Sequence, residues 1–140
     1  MKVQDIMTPD PITLNPRNTL RDAGRIAEEH GLRRFPVISN GRLVGIITDR
    51  DLRQAGLSTA VVHERRYSDY VLERVLVGGI MSREPVTVTP ETPVEEAAGL
   101  ILEHRVGGLP VVRKDKLVGI ITETDILRTF IRIQEAARRP

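Results

Sequence analysis

Residues 43–52 read Leu43-Val44-Gly45-Ile46-Ile47-Thr48-Asp49-Arg50-Asp51-Leu52. The pattern returns 74 residues on as Leu117-Val118-Gly119-Ile120-Ile121-Thr122-Glu123-Thr124-Asp125-Ile126. The same offset brings Ile6-Met7 onto Ile80-Met81, Pro11 onto Pro85, Thr13 onto Thr87, Pro16 onto Pro90, Ala23 onto Ala97, His30 onto His104 and Pro36-Val37 onto Pro110-Val111, without a gap. Two copies make a tandem duplication of one small unit rather than a solenoid, which needs at least three repeats. A unit of roughly 50 residues buries too little apolar surface to be robust alone, so the copies are expected to cover each other's apolar faces.

Each copy can be read from its own residues. Residues 8–16 and 82–90 are punctuated by Pro, which forbids helix and favours extended chain, so Thr13 and Thr87 are expected in a short strand. A helix follows. Asn18 is the expected cap in copy one; in copy two Thr92 caps, Pro93 takes the first turn and Glu95 completes a capping box. Leu20, Ala23, Ile26 and Ala27 recur at helical spacing, as do Val94, Ala97, Ala98 and Ile101. Phe35-Pro36-Val37-Ile38 reads as a strand, and Asn40-Gly41 is a strong hairpin signal because both residues tolerate positive φ. In copy two the same turn falls on Lys114-Asp115, a weaker signature. The hairpin returns through the apolar run, and Thr48 or Thr122 then opens a second helix. The unit is therefore β-α-β-β-α. Between the copies, residues 55–62 are loosely patterned, and Tyr67, Tyr70, Val71, Val75 and Leu76 form a helical stripe with Glu73 and Arg74 outside it. The expected division is unit 1 at 1–56, a connector helix at 57–76, unit 2 at 77–133 and an exposed tail at 134–140.

Composition narrows the class. At 40% hydrophobic and 29% charged, the chain is ordinary for a globular protein. Only 3% is aromatic, so the core must be aliphatic. The absence of Cys excludes disulfides, thiolate metal sites and Cys nucleophiles, and is compatible with the cytosol. No apolar run approaches the roughly 20 residues of a membrane span, and the first residues lack the apolar core of a signal peptide. A cytoplasmic protein with no membrane partner is expected. The net charge of +2 is too mild to argue for nucleic acid, although Arg33-Arg34, Arg65-Arg66 and Arg138-Arg139 are paired cations able to face phosphate.

The ordered set Asp5-Ile6-Met7, Pro11-Ile12-Thr13, Phe35-Pro36-Val37 and Gly45-Ile46-Ile47-Thr48-Asp49-Arg50-Asp51 resembles the CBS (cystathionine β-synthase) domain. It is repeated as Ile80-Met81, Pro85-Val86-Thr87, Leu109-Pro110-Val111 and Gly119-Ile120-Ile121-Thr122-Glu123-Thr124-Asp125. The resemblance covers nearly the whole chain and rests on the doubled set, not on any single motif. It implies an α/β (α+β) CBS-domain pair, or Bateman module, with two units packed in pseudo-twofold symmetry. It also implies clefts between the units that take AMP, ADP, ATP or S-adenosylmethionine, with pairing into a flat homodimer. The implied function is regulatory: an energy sensor or related ligand sensor acting on an effector protein that the sequence does not name. No cofactor is implied, and with no effector domain attached the output would act on a partner or through oligomerisation. Gly79 departs from the pattern, standing where an Asp usually precedes Ile-Met, which puts that leading turn in doubt.

The resemblance assigns roles residue by residue. Asp51 and Asp125 would take the ribose hydroxyls, because a carboxylate is acceptor-only and has two oxygens. The plain alternative is that Thr-x-x-Asp is a helix capping box needing no ligand, and the two can coexist. Thr48 and Thr122 would serve phosphate or ribose beside a helix N-terminus, or act as caps alone. Thr13 and Thr87, near Pro36 and Pro110, would line the adenine pocket, or be ordinary strand residues. Ile6, Met7, Ile80 and Met81 would be apolar walls, or simply core. Arg33 and Arg34 would clamp phosphate, whereas Gly107 and Gly108 at the equivalent positions would admit backbone close to a base. The pockets are therefore expected to differ, with the arginine-bearing one preferring more phosphates.

His30 and His104 suit helix C-termini better than a metal, and His63 stands alone. No Gly-x-Ser-x-Gly, Walker A, Gly-x-Gly-x-x-Gly or paired-His motif is present, so no enzyme is expected. A ligand-free dimerising scaffold is the alternative to the sensor.

Overall fold

The computed structural model describes residues 1–57 and 65–139, and the side chains of residues 57 and 65–68 lie outside that description. His63, most of the loosely patterned stretch, and the side chains of Arg65, Arg66 and Tyr67 thus fall outside it. The elements in order are α1 (Val3–Ile6), β1 (Thr8–Pro9), α2 (Leu20–His30), β2 (Arg34–Ser39), β3 (Arg42–Thr48), α3 (Asp49–Leu52), α4 (Arg65–Arg74), α5 (Val77–Ile80), β4 (Ser82–Arg83), α6 (Val94–His104), β5 (Gly108–Arg113), β6 (Lys116–Thr122) and α7 (Glu123–Ala137).

They form two compact bodies. The central body is Ile12–Pro85, and the terminal body joins Met1–Pro11 to Val86–Pro140. The bodies therefore cut across the repeats. The central body holds the β2-β3-β4 sheet, whose third strand comes from the second repeat; the terminal body holds β1-β6-β5, whose first strand comes from the first. The physical cause is the short leading helix of each repeat. In the central body the Val77 N–H donates to the Asn18 carbonyl (2.8 Å) and Val77 is fully buried. In the terminal body Val3 is equally buried and its N–H donates to the Thr92 carbonyl (2.8 Å). Burying each Val contributes about 1.5–3 kcal/mol. The expected boundaries at 1–56 and 77–133 follow the sequence repeat, while the compact bodies exchange its leading segments.

The two cores are built alike. Leu14, Leu20, Ala23, Phe35, Val37, Ile47, Leu52 and Val77 form the central one. Val3, Val88, Ala97, Ile101, Leu109, Val111 and Ile121 form the terminal one. Both hairpins pair antiparallel with the same bulge, between Val37 and Ile38 and between Val111 and Val112. Both turns are left-handed: Asn40 and Gly41 have φ of 52° and 77°, Lys114 and Asp115 of 50° and 65°. Glycine is required where the leading segment crosses the sheet. A Cβ on Gly45 would lie 2.6 Å from Met81 Sδ and 2.8 Å from the Ser82 carbonyl oxygen; on Gly119 it would lie 2.5 Å from Met7 Sδ and 3.0 Å from the Thr8 oxygen.

Several local expectations are corrected. Thr19, not Asn18, caps α2, exchanging hydrogen bonds with Asp22 at 3.1 and 3.0 Å. Pro93 stands at the α6 cap position without a side-chain bond, and Thr92 Oγ1 instead accepts from the Thr89 N–H. Thr13 and Thr87 lie outside the strands; only their neighbours Leu14 and Val88 bridge, parallel, to Val37 and Val111. On α4 the inward residues are Val71 and Leu72, with Val75 just beyond. Tyr70 is exposed, with the Arg74 guanidinium 4.0 Å from its ring centroid. Residues 134–137 continue α7 as exposed helix. The leading turn forms despite Gly79: the Met81 N–H donates to the Val77 carbonyl as the Met7 N–H donates to Val3, both at 2.9 Å.

Candidate functional site

In both bodies the candidate residues gather where the hairpin delivers the chain into a helix. The chain leaves β3 at Thr48, which is still extended (φ −112°, ψ 163°), and the helical φ/ψ begin at Asp49. The Thr48 N–H donates to Asp51 Oδ2 (2.9 Å), and the Asp51 N–H donates to Thr48 Oγ1 (3.2 Å). The terminal body repeats this. The Thr122 N–H donates to Asp125 Oδ2 (2.8 Å), the Asp125 N–H donates to Thr122 Oγ1 (3.3 Å), and the Thr122 hydroxyl donates back to Oδ2 (3.0 Å). The capping boxes thus form, and each is built on one carboxylate oxygen.

The strands bring the other candidates to the same end. Arg34 lies opposite Thr48 across the β2/β3 pair, and Gly108 opposite Thr122 across β5/β6. The Asp49 N–H donates to the Arg33 carbonyl (2.6 Å) and the Glu123 N–H to the Gly107 carbonyl (2.9 Å). Buried Pro36 and Pro110 are two residues further in. Their carbonyls accept from the Leu14 and Val88 N–H groups at 3.0 and 3.1 Å, so exposed Thr13 and Thr87 flank the strand there. The sets Thr13, Arg33, Arg34, Pro36, Thr48, Asp51 and Thr87, Gly107, Gly108, Pro110, Thr122, Asp125 therefore each stay within one body. The leading residues do not stay with their own copy: Ile6 and Met7 join the Asp125 body, Ile80 and Met81 the Asp51 body.

In the terminal body a groove of about 450 Å³ is lined by Ile6, Asp125, Arg128, Ile131 and Arg132. Arg128, Ile131 and Arg132 escaped the reading of the sequence. The signal lay in the repeat offset, which pairs Arg128 with Gln54 and Arg132 with Ser58, so that cations replace neutral residues. Among the described residues no cluster of three or more His, Asp or Glu could hold a metal, and no helix is long and apolar enough to cross a membrane.

The CBS domain family model matches residues 3–58 and 77–132, and the chain belongs to that family as a tandem pair. A CBS domain-containing protein of Dictyostelium discoideum is 38% identical over 95% of this chain and 93% of its own length. Among solved structures, CBSX2 of Arabidopsis thaliana in complex with AMP is 31% identical, with a TM-score of 0.78 covering 95% of this chain and 98% of that one. The CBS-domain pair of protein MJ0100, in complex with 5′-methylthioadenosine and S-adenosyl-L-methionine, is 30% identical, with a TM-score of 0.77 over 93% and 95%. The chain spans less than half of some longer curated relatives, an enzyme among them. Its fold is thus an α+β CBS-domain pair, and related pairs bind adenosyl ligands.

Proposed function

We propose that this chain is a non-catalytic regulatory sensor that binds an adenosine-containing ligand, AMP, ADP, ATP or S-adenosylmethionine, at its strand-to-helix junctions. The observation that carries the reading is the doubled junction. In each body a Thr and an Asp stand together where the hairpin enters a helix, beside the Arg33-Arg34 or Gly107-Gly108 end of the partner strand. The cap is built on one oxygen of that Asp, and a carboxylate has capacity for further donors such as ribose hydroxyls. AMP, methylthioadenosine and S-adenosylmethionine in related pairs support the ligand class. Thr13 and Thr87 would border the base and Arg33 and Arg34 a phosphate. Bound ligand biases the conformations of the chain by its differential affinity for them, and a partner protein reads the change. Homodimerisation and a cytoplasmic setting belong to the same proposal.

A second reading has its own support: both boxes are complete caps as they stand, which a ligand-free dimerising scaffold would also need. Calorimetric titration of AMP, ADP, ATP and S-adenosylmethionine into wild type, Asp51→Ala and Asp125→Ala separates the two. The sensor gives saturable binding that each variant loses at one site. No heat from any of the four ligands leaves the scaffold.

A further inference from the structure

We propose that Arg128 and Arg132 make the terminal body selective for phosphorylated adenosyl ligands, by clamping phosphate oxygens in the groove that Asp125 opens onto. The inference rests on the adenosyl-ligand reading above and deepens it. Residues 125, 128 and 132 are at i, i+3 and i+7 of α7, on one face of the helix. At 1.5 Å per residue they span about 10 Å, comparable to the reach from a ribose to the phosphates of a nucleotide. A ligand whose hydroxyls engage Asp125 would thus lay its phosphates along the two guanidinium groups. The groove's volume of about 450 Å³ suits such a ligand, and Ile6 and Ile131 supply apolar wall.

One cation is tethered and the other is left without a partner among the described residues. Thr129 is 5% exposed; its hydroxyl donates to the Asp125 carbonyl (2.8 Å) and accepts from Arg132 Nη2 (3.2 Å). Arg132 is thereby tethered to the turn that carries Asp125, while its remaining N–H donors stay available. Arg128 makes no hydrogen bond or ion pair with a described residue, and neither arginine is paired with an acid among them. Like charges four residues apart on a helix repel, and a bound anion would relieve that repulsion. Guanidinium groups also offer the planar fork that phosphate oxygens fit. The first repeat has Gln54 and Ser58 at the equivalent positions and carries its arginines at Arg33 and Arg34, where the second has Gly107 and Gly108. Both bodies therefore own a cation pair, but the terminal one takes it from the helix.

The test uses the full chain with Asp51→Ala, which removes the central body's ribose ligand, and titrates adenosine, AMP and ADP by calorimetry. The expected result is AMP and ADP binding at least about tenfold tighter than adenosine, with the margin shrinking as salt rises. Arg128→Gln with Arg132→Gln should erase the margin and leave adenosine binding as it was. The double Lys variant, which keeps the charge, should recover part of the margin. Gln is a good helix former, and far-ultraviolet circular dichroism verifies that α7 is intact. An unchanged AMP-to-adenosine ratio in the Gln variant overturns the proposal. If Asp125→Ala then still abolishes binding, the adenosyl reading stands without it. Failure of all three ligands to bind the Asp51→Ala chain overturns the proposal, and if ATP and S-adenosylmethionine also fail to bind it, the adenosyl reading falls at this body too.

Discussion

Replacing Gly45 by Ala tests how the central body is closed. The added methyl would meet Met81 Sδ at 2.6 Å, Met81 Cγ at 3.0 Å and the Ser82 carbonyl oxygen at 2.8 Å. Met81 is flexible and can swing aside. The Ser82 oxygen belongs to β4, which pairs with β3 at Gly45–Arg83 and Ile46–Ser82, so relief there means pulling the pair apart. Overpacking of this kind costs about 1–3 kcal/mol, and because one contact is backbone the expected value is near 2 kcal/mol. Urea unfolding of the wild type, Gly45→Ala, Met81→Ala and the double variant measures it as a cycle. Met81→Ala removes the thioether contact, so the penalty of Gly45→Ala should be smaller in that background, with the Ser82 share remaining. A Gly45→Ala chain within about 0.5 kcal/mol of wild type, the usual margin for an innocuous surface change, would refute the crossing of the leading segment over this strand. An equal cost with and without Met81 would place the whole penalty on the Ser82 oxygen.

The exchanged leading helices make a paired prediction: Val3→Ala and Val77→Ala, both fully buried, should each cost about 1.5–3 kcal/mol in urea unfolding. Protection from hydrogen exchange should fall in β5 and β6 for the first and in β2 and β3 for the second. Asp22 should make the cap of α2 acid-sensitive. The Thr19 N–H donating to its carboxylate holds the pKa below the ordinary 3.8, so the cap's stability is full above that value and fades as pH falls through the lower folded one. Asp22→Ala should therefore cost about 1 kcal/mol at neutral pH and progressively less in acid, read from urea midpoints along a pH series. Asp125→Asn should separate cap from ligand: the amide oxygen can still accept the Thr122 N–H, so stability should fall by less than about 1 kcal/mol. Its NH2 cannot accept a ribose hydroxyl, and adenosine affinity should drop at least about tenfold, as expected for losing a hydrogen bond to a charged acceptor.

How much of this was legible depends on where the information sits in the chain. The hairpins and the junctions follow from side chains that act locally: apolar strand residues, Asn40-Gly41, and Thr three residues before Asp. The second turn shows the limit. Lys114 and Asp115 take the same left-handed backbone as Asn40 and Gly41 because the hairpin between two buried strands demands it, although their own preferences barely advertise it. Thr19 and Asn18 are both capable caps, and the choice is made by tertiary bonds. The Leu20 N–H donates to the Val75 carbonyl while the Asn18 carbonyl accepts from Val77, which sets the helix start one residue later. The exchange of leading segments could not be read at all. Val3 and Val77 are the same residue in the same local pattern, so nothing in either copy states which core it will complete.

A complete cap needs only the Thr, the Asp and two backbone N–H groups, and both junctions possess these. What capping leaves unaccounted for is the placement of charge around them. The duplicated positions that build the cores are apolar in both copies: Leu14 and Val88, Phe35 and Leu109, Ile47 and Ile121. Other positions related by the repeat offset are not matched in charge. Arg33-Arg34 answers to Gly107-Gly108, and Gln54 with Ser58 answers to Arg128 with Arg132. An arginine pair adds positive charge to a body without improving its cap. The fold tolerates either arrangement, since both cores and both boxes are complete. The unequal charges are therefore not needed to hold either junction together, and under the proposed sensor they would set which ligand each one takes.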